Sequence, residues 1–190
     1  MRRRLHFFGT ATRAPKAVAK IAVGVGLALG LSLGLSACVE QAPDVPSKAD
    51  ISSAKENILA APPAHLTYNV NATLTEGSAK LVYLGADVST TRVTPGKPFT
   101  ITHYWKVIEP PGAGWRLFVH LEAPASKAHH LNADHVPVGG KYPVSVWKKG
   151  DIVRDIQKVS LPRNWRLPAV EIYTGIWKGR LRMKVVSGPH

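Results

Sequence analysis

The 190 residues include 25 Lys and Arg against 12 Asp and Glu, a formal net charge of +13. Six of the basic residues and none of the acidic ones fall in residues 1–37, so the other 153 residues carry only +7, and that charge is dispersed. Such a balance does not read as a nucleic-acid footprint, because no recognition helix or stacking platform at defined spacing accompanies it. A single cysteine, Cys38, excludes an intramolecular disulfide.

At the amino end, Arg2, Arg3, Arg4, Arg13, Lys16 and Lys20 precede an uncharged apolar run over residues 21–37. A basic region, a short apolar stretch and small residues in that order are the layout of a secretory signal. The run is shorter than the roughly 20 residues that a spanning helix needs, and Gly24, Gly26, Gly30 and Gly34 lower its helix propensity. It ends in Leu35-Ser36-Ala37-Cys38, which resembles the lipobox of bacterial lipoproteins. The resemblance implies diacylation of the Cys38 thiol, cleavage before it, and attachment to a membrane through several acyl chains, each worth about 0.8 kcal/mol per buried CH₂. No aspartate directly follows Cys38, where Val39 and Glu40 stand. In such lipoproteins this implies the outer membrane where the cell has one.

The expected organisation is a signal peptide (1–37), a lipidated cysteine with a flexible tether (38–65), and a folded domain (66–187). Residues 39–64 are rich in Pro, Ala and Ser and poor in aromatics, with a turn or two of helix expected around residues 53–60.

Beyond the tether, period-two alternation dominates. Leu66, Tyr68, Val70, Ala72 and Leu74 mark a first strand and residues 80–88 a second. Pro95-Gly96-Lys97-Pro98 closes a turn before a third, in which Phe99, Ile101, His103, Trp105 and Val107 share one face. A Pro- and Gly-rich loop leads to a fourth, with Trp115, Leu117, Val119 and Leu121 on one face and Phe118, His120 and Glu122 on the other. Residues 126–140 have no periodicity and are expected to be a long loop. Strands are expected again at 142–147, 152–161, 170–176 and 180–186, the last with Arg180, Arg182 and Lys184 on one face. No segment has the pattern of a long amphipathic helix. Seven or eight strands with Gly/Pro turns predict an all-β antiparallel β-sandwich, immunoglobulin-like or jelly-roll-like.

Five stretches, LVYLGADV (81–88), TPGKPFTITHYWKV (94–107), LFVHL (117–121), the run at 133–162 and IYTGIW (172–177), carry a further resemblance. They are similar to the soluble β-sandwich domain at the carboxyl end of some membrane-bound bacterial glycosyltransferases. The positions concerned are Gly85, Pro95, Gly96, Tyr104, Trp105, Phe118, His120, Asp134, Pro137, Trp147, Gly150, Asp155 and Pro162. The resemblance implies a fold and a cell-envelope, sugar-related setting, and it implies no catalysis, since the chemistry of those enzymes belongs to their membrane-embedded part. His129 and His130 depart from it.

Three sets of residues are candidates for function. Trp165, in a loop without alternation, is expected to be an exposed aromatic, and with Tyr142 and Trp147 it could stack on sugar C–H faces. His120 and Asp134 are expected to form a structural pair. Alternatively His120, His129, His130, Asp134 and His135 supply imidazole and carboxylate donors for a zinc-like ion, although their spacing matches no compact zinc motif. Asp151 and Asp155 do not make a glycosidase pair, because i, i+4 on a strand spans about 13 Å where such carboxyls stand about 5–9 Å apart. Asp151 next to Gly150 reads as turn chemistry, and Asp155 as a cap or a bridge to a neighbouring strand. The sequence thus predicts a non-catalytic envelope lipoprotein without cofactor, held to the membrane through Cys38 and contacting polysaccharide. Its alternatives are a protein-interaction module of an envelope assembly, and a metal-binding or hydrolytic domain using the histidine-rich loop.

Overall fold

The computed structural model describes residues 45–124, 126–166 and 169–188, without the side chains of 126–128. The expected signal, the lipobox-like run and Cys38 lie outside the described residues. In chain order the elements are helix α1 (Lys48–Ser53), a 3-10 turn (Lys55–Asn57), β1 (Tyr68–Glu76), β2 (Ala79–Val88), β3 (Pro98–Glu109), β4 (Arg116–Ala123) and β5 (Ser126–Asn132). A second 3-10 turn (Val144–Val146), β6 (Ile152–Ser160), β7 (Glu171–Lys178), β8 (Leu181–Arg182) and β9 (Lys184–Ser187) complete them. The strands form two antiparallel sheets, one of five in the order β6-β3-β2-β1-β9 and one of four in the order β5-β4-β7-β8. The domain is an all-β sandwich. Among the described residues no helix is long and apolar enough to cross a membrane.

Alternation decides which side chains enter the core. Phe99, Ile101, His103, Trp105 and Val107 of β3 and Leu117, Val119 and Leu121 of β4 are all buried, as their spacing predicts. Each fully buried Leu or Val contributes about 1.5–3 kcal/mol. In β2 the register shifts between Tyr83 and Gly85, so Ala86 rejoins the main core while Leu84 turns outward to Tyr104 and Ile152 under Leu59 and Leu66. Gly85 sits at φ 141°, where a Cβ would lie 1.9 Å from the Tyr68 carbonyl oxygen. Gly85→Ala is therefore expected to cost about 1–3 kcal/mol through backbone strain, read as a lower urea midpoint with an unchanged slope.

Four expectations are corrected. Residues 126–132 form edge strand β5 against β4 instead of a loop. Residues 142–147, read as a strand from apolar alternation, turn as 3-10 helix at Val144–Val146, because Pro143 offers no N–H to a ladder. Residues 180–186 are two strands: the chain leaves the four-stranded sheet after Arg182, buries Met183, and joins the five-stranded sheet at Lys184. Arg180, Arg182 and Lys184 therefore do not share one strand face.

The fourth concerns residues 48–58, which pack as part of the fold instead of hanging as tether, and their helix lies earlier than expected. Ser47 and Asp50 cap α1 reciprocally, each accepting the other's backbone N–H at 3.1 Å. Ala54 is fully buried. The Leu59 N–H donates to the Ile152 carbonyl at 2.8 Å, and Ile58 bridges Val153, which covers the edge strand β6.

Candidate metal centre

The outer face of the four-stranded sheet gathers a cluster of titratable side chains. In β4 the core takes Leu117, Val119 and Leu121, so Phe118, His120 and Glu122 point away from it. Directly opposite in the register, Glu122 faces His130 of β5 and Glu171 of β7, while His120 faces Asn132 and Tyr173. Opposed residues project to the same side of a sheet, so His120, Glu122 and His130 meet. One ligand atom from each lies within 4.8 Å of the others. His130 Nδ1 is 3.3 Å from Glu122 Oε1, and the His120 and His130 rings stand edge to face with centroids 4.9 Å apart.

Asp134 backs this group. Its Oδ1 accepts the Val119 N–H at 2.9 Å and lies 3.4 Å from His120 Nε2. Burial pushes the Asp134 carboxyl up, but the His120 contact and the N–H donor outweigh it and hold the carboxyl below its ordinary value. His120 keeps a second ring nitrogen, Nδ1, and its side chain is 19% exposed while that of His130 is 42% exposed. A metal bound here would therefore retain an open coordination position toward solvent.

The five histidine-loop candidates separate into three places. His120, His130 and Asp134 join at this face. His129, one residue from His130 on a strand, projects to the opposite side and meets Trp165 edge to face at 5.3 Å. His135 turns inward and its Nε2–H donates to Asp155 Oδ2 at 2.7 Å. Glu122, which the sequence places on the right face but not among the ligands, is the member missed; the His-x-Glu spacing on one strand was its signal.

The aromatic candidates are corrected as a group. Trp165 is 3% exposed, Tyr142 1% and Trp147 3%. Trp165 is covered by His129, the Tyr142 hydroxyl donates to Asp151 at 2.6 Å, and the Trp147 indole N–H donates to the Tyr142 carbonyl at 3.0 Å. None of the three offers a face to a saccharide. Asp151 also accepts the Lys148 N–H at 2.8 Å, which is the turn role its position beside Gly150 predicts.

Asp155 belongs to a second, interior network. It sits opposite His103 in the β3–β6 register, and its Oδ1 accepts the Val138 N–H at 2.8 Å. Tyr83 Oη and His103 Nδ1 are 2.8 Å apart. Burial raises the Asp155 pKa, but the His135 hydrogen bond and the nearby imidazoles bring it below the ordinary carboxylate value. Burial lowers that of His135, and Asp155 more than restores it, leaving it raised.

The chain matches no family model, and neither a curated protein nor a solved structure matches it.

Proposed function

We propose that this chain is a lipid-anchored, extracytoplasmic module that binds a divalent transition-metal ion of the zinc class through His120, Glu122 and His130. The observation that carries the reading is the meeting of two imidazoles and a carboxylate, from two adjacent strands, within 4.8 Å. Two histidines and one carboxylate are a donor set that zinc takes, with a fourth position left to water or another ligand. Tetrahedral donors at about 2.0–2.1 Å from the ion stand roughly 3.3 Å from one another, so the three must draw in by a further side-chain rotation. Exposed rotamers permit that at small cost. Asp134 behind His120 fixes ring orientation, as a carboxylate partner commonly does for a ligating imidazole.

Titrating the full chain with Zn²⁺ at pH 7 is expected to show one stoichiometric site. His130→Ala or Glu122→Gln should abolish it, and Asp134→Asn should weaken it by about 10–100-fold. Full binding by the His130→Ala variant would refute the assignment. The membrane attachment rests on residues 1–38: Cys38→Ala is expected to leave an unprocessed chain or one that no longer partitions with membranes. Normal processing and partition of that variant would overturn the anchor.

A further inference from the structure

A cavity of about 210 Å³ adjoins His120, one of the three proposed ligands, and is lined also by Phe118, Asp134, Trp177, Arg180 and Arg182 among others. Its volume is below the roughly 300–1,000 Å³ that drug-sized ligands occupy, so it takes one small group. The Arg182 guanidinium is held over the Phe118 ring, 4.7 Å from its centroid, and the Phe118 ring in turn lies against Gly175, where a Cβ would meet it at 2.6 Å. Phe118 and His120 ring centroids are 5.2 Å apart. The stacked guanidinium thus sits no more than about 10 Å from the imidazole proposed to hold the metal.

Resting on the metal reading, we infer that this cavity binds a phosphate monoester group, and that the bound metal strengthens that binding. The charges decide it. Without an ion, Glu122 and Asp134 cancel Arg180 and Arg182, and an anion gains little. Arg116 and Glu171, at the ends of the same face, add one charge of each sign. A divalent ion neutralises the two carboxylates and leaves both guanidinium charges uncompensated on the cavity side of His120. A phosphate monoester carries about −1.5 to −2 at pH 7 and matches that surplus, whereas a carboxylate leaves part of it unmet. Guanidinium is also the side chain whose planar fork pairs with phosphate oxygens. The coupling is reciprocal: phosphate raises the affinity for the metal by the factor by which the metal raises that for phosphate.

The test titrates inorganic phosphate, glucose 6-phosphate and glucuronate against the zinc-saturated full chain and again in chelator, with phosphatidate vesicles as a further arm. Both phosphates should bind with zinc and lose about 5–150-fold without it, with glucuronate weaker than either. Preference for the sugar phosphate or for the vesicles then tells a soluble source from a lipid headgroup. Arg182→Gln should abolish phosphate binding while stoichiometric zinc binding, measured without phosphate, persists, since Arg182 is not among the proposed ligands. Zinc binding without phosphate binding, tighter binding of glucuronate, or phosphate binding that is no weaker in chelator would overturn this inference and leave the metal site standing. Failure of zinc itself to bind would remove both.

Discussion

Substituting Asp155 by alanine is expected to remove about 3–5 kcal/mol of folding stability, the range for breaking a buried charged pair from one side. Asp155 is fully buried in β6 and its two oxygens serve different partners, the Val138 N–H and the His135 ring. Truncation leaves both donors without their acceptor, and a desolvated donor keeps its full penalty. The partners lie in the segment 133–142, which carries no strand and is tied back to β6 here and by the Gln157 amide donating to the Ala133 carbonyl. Asp155→Asn should cost less, since an amide oxygen still accepts from Val138. His135→Ala combined with Asp155→Ala should fall short of the sum of the single losses, because the second change removes a group already orphaned. Chemical denaturation of the four variants measures this. An alanine variant within about 1 kcal/mol of the parent would show that the network is not what pins the segment.

The second large effect concerns acid. His103 lies fully buried, and burial drives its pKa down from 6.5 to about 4, with the Asp155 charge pulling it partly back and His135 pushing it lower. In the unfolded chain an imidazole takes up its proton near 6.5. Between pH 6.5 and about 4 the unfolded state therefore binds a proton that the folded state refuses, and stability falls as the pH falls, by roughly 3 kcal/mol at about 1.4 kcal/mol per unit. His135 acts the other way: with its folded pKa raised, its contribution is complete below 6.5 and is lost as pH rises through the raised value. Asp155, with a depressed pKa, holds its contribution above the ordinary carboxylate range and loses it as pH falls through the lowered value. His103→Gln removes the imidazole's proton uptake while keeping an acceptor for the Tyr83 hydroxyl. Relative to this variant, the parent should lose about 3 kcal/mol between pH 7 and 4. A difference independent of pH would contradict the assignment.

How much of this was legible in sequence depends on what fixes each residue. Alternation in β3 and β4 sorts core from outer face because a strand's period is two, and it places His103 inward and His120 with Glu122 outward. The metal candidate needs His130 as well, and two adjacent histidines in SKAHHLN give no alternation to read. That segment becomes a strand because β4 offers it an open edge, so tertiary pairing overrides local pattern. Trp165 illustrates the converse: a loop tryptophan without periodicity looks exposed until His129 from another element covers it. Neither the His103–Asp155 pairing nor the passage from β8 to β9 across Met183 can be read locally, since one depends on register and the other on which sheet has room for the chain.

The most direct test of the metal reading is an anomalous difference map from crystals of the zinc-loaded protein, recorded above and below the zinc absorption edge. A single peak is predicted about 2.0–2.2 Å from one atom each of His120, Glu122 and His130, with Asp134 on the far side of the His120 ring. Absence of density there, or zinc held by His129 or His135 instead, would contradict it.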